Sequence, residues 1–203
     1  MTTYATLADV KSSLGISATD YNDDDRIEVA LSAAEQMVDA YCGRTFDAAG
    51  TAATTRVYAA HDDDYLRIDD CTSITLVEAD LAANGTWTSW ATTDWQAEPL
   101  NGLQGGRSVP YNSLRAIGSY EFPKSSEALV RVTATWGWSD TPAPVITACR
   151  ILAARYFKRD DSPMGIAGGP DTGLLYLSRN IDPDVAMLLA PFRTGDQIAG
   201  GVA

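Results

Sequence analysis

The side chains able to do chemistry in this 203-residue chain are few, and they do not converge. His61 is the one histidine, so a multi-histidine metal site is excluded. Any Ser-His-Asp triad would depend on it, beside the run Asp62-Asp63-Asp64. No Gly-x-Ser-x-Gly elbow accompanies it, and His61 reads as a surface turn residue. Asp20, Asn22 and Asp24 have the spacing of the first three oxygen ligands of a calcium loop. Asp25, however, stands where that loop turns on glycine, and Leu31 where it needs a bidentate glutamate. The expected role of this acidic stretch is to cap a helix. Asp62, Asp63 and Asp64 would alternate faces on a strand and cannot all reach one ion, so a solvated hairpin turn is expected. Gly165, Gly168, Gly169 and Gly173 suggest a phosphate loop, yet no Gly-Lys-Ser/Thr follows and no buried strand precedes them. Their structural alternative is an arm that orders against a partner. Five tryptophans, grouped as Trp87, Trp90 and Trp95 and as Trp136 and Trp138, raise the possibility of stacking on sugar rings. Tryptophan within strands more often fills a thin core or a subunit interface. Cys42, Cys71 and Cys149 are widely spaced and lack C-x-x-C, so they read as small buried hydrophobes. No catalytic, cofactor or metal site is expected.

Composition narrows the partners. Fifteen Lys and Arg face 27 Asp and Glu, for a net charge of −12. That balance argues against sequence-independent nucleic-acid binding, which needs clustered cations. An acidic wall would suit a passage through which DNA slides, provided the chain forms a ring. No apolar run approaches the roughly 20 residues that span a bilayer, and the N-terminus lacks the basic and apolar regions of a secretory signal. A cytoplasmic site of synthesis and no membrane partner are therefore expected.

The elements that would position these residues follow from periodicity. Thr6 and Asp9 make a capping box for a first helix that stops at Gly15. A second helix starts within Asn22–Asp25. It carries Ile27, Leu31, Ala34, Val38 and Tyr41 at three- and four-residue steps, with Ala30, Ala33 and Ala40 alongside, and stops at Gly43. From about Thr54 to Trp138 the period becomes two. Val57, then Leu66 and Ile68, then Ile74 and Leu76 mark strands, with Asp69-Asp70 read as a turn between them. Asn84-Gly85 signals a hairpin, and Gly102, Gly105 and Gly106 signal a loop. Ala128–Trp138 is the clearest strand, with Val130, Val132, Ala134 and Trp136 on one face. After Ser139-Asp140-Thr141-Pro142 a third helix presents Ile146, Cys149, Leu152, Ala153, Tyr156 and Phe157, and should pack on the second. Leu174–Leu177 reads as an extended strand, and Asp182 caps a short last helix through Val185, Leu188 and Leu189 to Pro191. The expected organisation is a helical part (1–53), an antiparallel β insertion (54–138), a core helix completing the bundle (139–160), and an arm with a short helix and loose tail (161–203).

Three segments carry a family resemblance. They are the paired N-terminal helices ending in Tyr41-Cys42-Gly43-Arg44-Thr45-Phe46, the passage Val132–Trp138 into Pro142–Arg159, and Asp182-Pro183-Asp184 with Leu188–Arg193. In this order they resemble the phage head–tail connector, or adaptor, proteins. The resemblance implies an α+β fold in which a small helical bundle of connector type carries an inserted antiparallel sheet and an extended C-terminal arm. It implies a structural virion protein at the head–tail junction, made in the host cytoplasm, with no enzymatic activity and no cofactor. Its subunits would form a ring, typically of twelve, beneath the portal protein, with DNA passing through the channel without specific binding. A tail-completion or stopper protein would follow below. On this reading Leu174, Tyr176, Leu177 and Arg179 form a portal-docking arm, and Ile27, Leu31, Ala34, Val38 and Tyr41 the subunit-packing stripe. The alternative is a sheet-based module of a tail, binding sugar or cell wall through its tryptophans; a hydrolase would rest on His61 and its acidic neighbours.

Overall fold

A computed structural model of the chain describes residues 4–160, the backbone of 166–167 and 175–176, and residues 181–194. The fold is α+β, in two compact units: Met1–Phe46 with Thr141–Ala203, and Asp47–Asp140.

In the helical unit, α1 (Leu7–Leu14) opens with the expected capping box. Thr6 Oγ1 accepts from the Asp9 amide at 3.1 Å, and Asp9 Oδ2 accepts from the Thr6 amide at 2.9 Å. Gly15 ends it in the left-handed conformation. The acidic stretch that follows does not cap α2 (Asp24–Cys42) with a side chain, contrary to expectation. It folds instead around Lys11, which is buried and must be given oxygen partners. Lys11 Nζ donates to the Asp20 carbonyl at 2.8 Å and pairs with the Asp24 carboxylate. Asp23 pairs with Arg26 at 3.0 Å. Helix α3 (Ala143–Asp160) packs on α2, and α1 and the short α4 (Pro183–Leu189) pack on α3. Cys149, Leu152, Ala153 and Phe157 are buried along α3 as expected and are joined by Val145 and Ala148, whereas Ile146 and Tyr156 are half-buried. The Pro142 carbonyl receives the first helical amides, while Thr141 Oγ1 donates to the Phe46 carbonyl at 3.1 Å and does not cap. Asp182 caps α4 as expected, accepting from the Asp184 amide.

The second unit is an antiparallel sheet of β1 (Thr54–Tyr58), β2 (Tyr65–Ala79), β3 (Thr88–Trp90), β4 (Trp95–Glu98), β7 (Tyr111–Ala116) and β8 (Val130–Trp136). The order is β1-β8-β2-β7-β4, with β3 on β2. Strands β5 (Leu103–Gln104) and β6 (Arg107–Ser108) form a separate miniature hairpin turning on Gly105-Gly106, both at positive φ. Leu66, Val77, Trp90, Leu114, Phe122, Val130, Val132 and Ala134 make the core, with β8 alternating as its sequence requires.

Three details differ from the sequence reading. Asp69-Asp70 is not a turn; it lies inside one long β2, where the register on β7 shifts between Arg67 and Cys71 and absorbs the polar pair. The Asp62–Asp64 bend joins β1 to β2 but makes no hairpin, because β8 lies between those strands. Asn84-Gly85 does lie in the turn of a hairpin, since β2 and β3 pair antiparallel, but the loop is longer than a two-residue turn. There the buried Asp80 carboxylate accepts from the Asn84 and Gly85 amides at 3.2 and 2.6 Å.

Candidate functional site

The residues singled out for chemistry are held apart or otherwise engaged. His61 is exposed in the bend before β2. Asp63 and Asp64 diverge to Lys124 (3.7 Å) and Arg115 (2.8 Å). Asp20 accepts from the Asn22 amide and side chain, at 3.1 and 2.8 Å, and among the described residues no cluster of acids that could hold a metal ion is formed. Burial pushes the thiols of Cys42, Cys71 and Cys149 up to about 12, so each is held protonated and unreactive. Among the described residues no helix is long and apolar enough to cross a membrane.

The tryptophans face inward. Trp90, Trp136 and Trp138 are buried, and Trp87 and Trp95 half-buried. Trp136 Nε1 donates to the Thr54 carbonyl at 2.8 Å, and Trp138 Nε1 to Asp70 Oδ2 at 3.0 Å. Arg56 and Arg131 cover the rings of Trp136 and Trp87 at 4.5 and 4.6 Å. These rings build the sheet core and its edges.

The junction motif has a definite geometry. Gly43 takes φ 66° to end α2, which turns the chain so that Phe46 enters the core. Phe46 lies edge-on to Tyr4 (6.0 Å) and to Phe192 (5.8 Å). Tyr4 OH donates to Asp39 at 2.6 Å and accepts from the Phe46 amide at 2.9 Å. The Thr194 amide donates to the Cys42 carbonyl at 2.9 Å, and Arg193 covers the Tyr41 ring at 4.9 Å. Residues 41–46 therefore tie the N-terminal segment and the end of the described chain to the same point.

Helix α2 carries two apolar faces. Ile27, Leu31, Ala34 and Val38 are buried in the unit's own core, with Tyr41 half-buried, so this stripe is not available to pack a neighbouring subunit. The outward ridge is a different one. Val29 is 71% exposed and Met37 44%, with the exposed Ala33 between them. Val29, Ala30 and Ala33 line a groove of about 570 Å³ with Arg26, Tyr156 and Phe157. Of the expected docking arm, Tyr176 lies on the two-residue strand Leu175–Tyr176, paired antiparallel with Ile166–Ala167. Leu174, Leu177 and Arg179 lie outside the described residues.

Residues 4–71 match the phage gp6-like head-tail connector protein family. The match runs from Tyr4 through both N-terminal helices and the Tyr41–Phe46 junction into the sheet, the part of the chain that carries the first segment of the resemblance. Among solved structures, a chain titled "Neck of empty GTA particle computed with C6 symmetry" shares the fold at TM-score 0.54 and 17% identity. The alignment covers 95% of this chain and 90% of that one. Chains from the neck of a native GTA particle with C12 symmetry and from the virion of a native gene transfer agent (GTA) particle align at TM-score 0.49. Their identities are 17% and 22%, over 93% and 95% of this chain and 87% and 90% of theirs. No curated protein matches the sequence.

The sequence reading missed Tyr4, Lys11 and Thr194, and gave Phe192 and Arg193 no packing role. Tyr4 had one signal, an aromatic residue just before a helix cap, the place from which a side chain staples the entering chain to the core.

Proposed function

We propose that this protein is a head-to-tail connector. It is a structural virion subunit that forms a ring beneath the portal and joins the DNA-filled capsid to the tail, after synthesis in the host bacterial cytoplasm. The observation that carries the reading is the family match over residues 4–71, through the helices and the junction they end in. Support comes from the fold shared with a neck chain whose structure was computed with C6 symmetry. A sixfold neck accommodates a ring of twelve copies. The net charge of −12 suits a channel wall along which DNA slides without adsorbing. The role is one of surfaces and not of catalysis, and binding strength arises from modest contacts repeated around a closed ring.

In this reading Leu174, Tyr176 and Leu177 supply apolar contacts to the portal, and Arg179 pairs with portal carboxylates. In sequence the arm joins α3 to α4, and Arg155 on α3 pairs with Asp182 at the start of α4 at 3.5 Å. A tail-completion or stopper protein docks on the opposite side. The test is the mass of the protein, alone and mixed with the portal ring of the same particle, by light scattering or native mass spectrometry. Stoichiometric addition to the portal is expected. No association at low or moderate salt would refute the connector reading.

A further inference from the structure

We propose that the outward ridge of α2, Asp25-Val29-Ala33-Met37, is one half of a head-to-tail interface. Its occupant is the Arg150-Ala154-Lys158 ridge of α3 in a second copy of this chain. The inference deepens the connector reading and rests on it.

Of the acids on α2, Asp24, Glu35 and Asp39 are engaged within the chain and Asp25 and Glu28 are exposed, while α3 exposes Arg150, Lys158 and Arg159. Within one chain the two helices pack through their buried faces. Each then keeps an outer face, and those faces differ in sign. On α2, Asp25, Val29, Ala33 and Met37 follow at four-residue steps and all are exposed. On α3, Arg150 and Lys158 are exposed at four-residue steps around the half-buried Ala154. Asp25 and Lys158 make no ion pair among the described residues.

Placing the first ridge of one copy on the second ridge of the next continues the order acidic helix, basic helix, acidic helix across every junction. Pairing α2 with another α2 would oppose carboxylates, and α3 with α3 would oppose cations. The contact is therefore between unlike patches, the kind that closes into a ring when the rotation permits. Ala33 and Ala154 stand at the middle of each ridge, where small side chains let two helix axes come within roughly 8–10 Å. Val29 and Met37 then lie on either side of the contact and bury their apolar surface.

The test mixes two chains, one bearing Ala33→Cys and the other Ala154→Cys, with a short bismaleimide. The three native cysteines are buried and do not compete. A covalent dimer linked through positions 33 and 154 is expected whenever the protein assembles, alone or on the portal ring. Sedimentation velocity of Lys158→Glu should show the half-assembly concentration raised roughly tenfold or more, as like charges face each other. Asp25→Lys combined with Lys158→Glu should return it to near the parent value. Met37→Asp should weaken assembly without changing the helical circular dichroism. A closed oligomer that yields no 33–154 link, and that ignores these changes, would overturn the interface while leaving the connector reading intact. A chain that stays monomeric both alone and with the portal would overturn both.

Discussion

Replacing Gly137 by alanine should unfold the sheet unit selectively. Gly137 follows β8 at φ 115°, and a Cβ built there would lie 2.7 Å from the Asp47 carbonyl oxygen. It would also lie 2.9 Å from both the Ala49 amide nitrogen and its Cα. All three are main-chain atoms of a segment with little freedom to move. The Trp138 amide donates to the Asp47 carbonyl at 2.8 Å, the Ala49 amide to the Trp138 carbonyl at 2.6 Å, and the Gly137 amide to the Asp70 carbonyl at 2.8 Å. The strained backbone costs about 1–3 kcal/mol. Loss of the two hydrogen bonds to residues 47 and 49 adds about 1 kcal/mol each. A destabilisation of about 3–5 kcal/mol corresponds to a fall in melting temperature of at least 12 °C or so for a unit near 100 residues. The assay is specific, because all five tryptophans belong to the sheet unit, so their fluorescence follows it alone. Ellipticity at 222 nm is dominated by the helices of the other unit. Gly50→Ala is the control, since a Cβ there meets nothing within 4 Å. A Gly137→Ala variant melting within about 4 °C of the parent by tryptophan fluorescence, a cost near 1 kcal/mol, would refute the steric argument.

Phe46→Ala should remove the aromatic contacts to Tyr4 and Phe192 and leave a cavity where three chain segments meet. A loss of about 3–5 kcal/mol from the helical transition is expected, read at 222 nm. Acid should destabilise the sheet unit first at two carboxylates. The Glu78 carboxyl is held below its usual range by paired hydrogen bonds from Arg131, and Asp80 is lowered because backbone amides at Gly85 and Asn84 outweigh the opposing effect of its burial. Groups lowered in the folded state stabilise it above the unfolded carboxylate range near pH 4, and lose that contribution as pH falls through the lower folded values. The tryptophan-reported melting temperature should therefore hold from pH 7 to about 5 and fall below pH 4, and an Asp80→Asn variant should show a shallower fall. Deleting 163–179 should abolish portal association while both melting transitions persist; loss of the helical transition would show that the segment is part of the fold rather than a docking arm.

Much of the helical unit was legible because its signals are local. The Thr6-Asp9 capping box, the Gly15 and Gly43 stops and the Ile27–Val38 stripe depend on spacing within one or two turns. The polar clusters were misread because tertiary partners decide them. Asp69 reads as a turn until Arg56 and Tyr58 are found on its carboxylate at 2.7 and 2.9 Å, and the Asn22–Asp25 cap yields to the demand of a buried Lys11. Periodicity identifies an apolar stripe but not its partner, and the stripe assigned to a neighbouring subunit packs inside its own chain.

A helix that buries Ile27, Leu31, Ala34 and Val38 in its own core needs no further apolar residue on its far side for folding, yet α2 places Val29 and Met37 there in full or partial contact with water. Isolated exposed apolar residues are ordinary on a protein surface. Here they are aligned at helical spacing with Ala33 and a carboxylate, and the partner helix α3 aligns two cations and an alanine on its own outer side. The exposed charges of the two helices, Asp25 and Glu28 against Arg150, Lys158 and Arg159, thus leave their outer faces opposite in sign. Two unlike outer faces on one chain are what the head-to-tail interface proposed above requires, and such a contact closes into a ring only where the rotation permits.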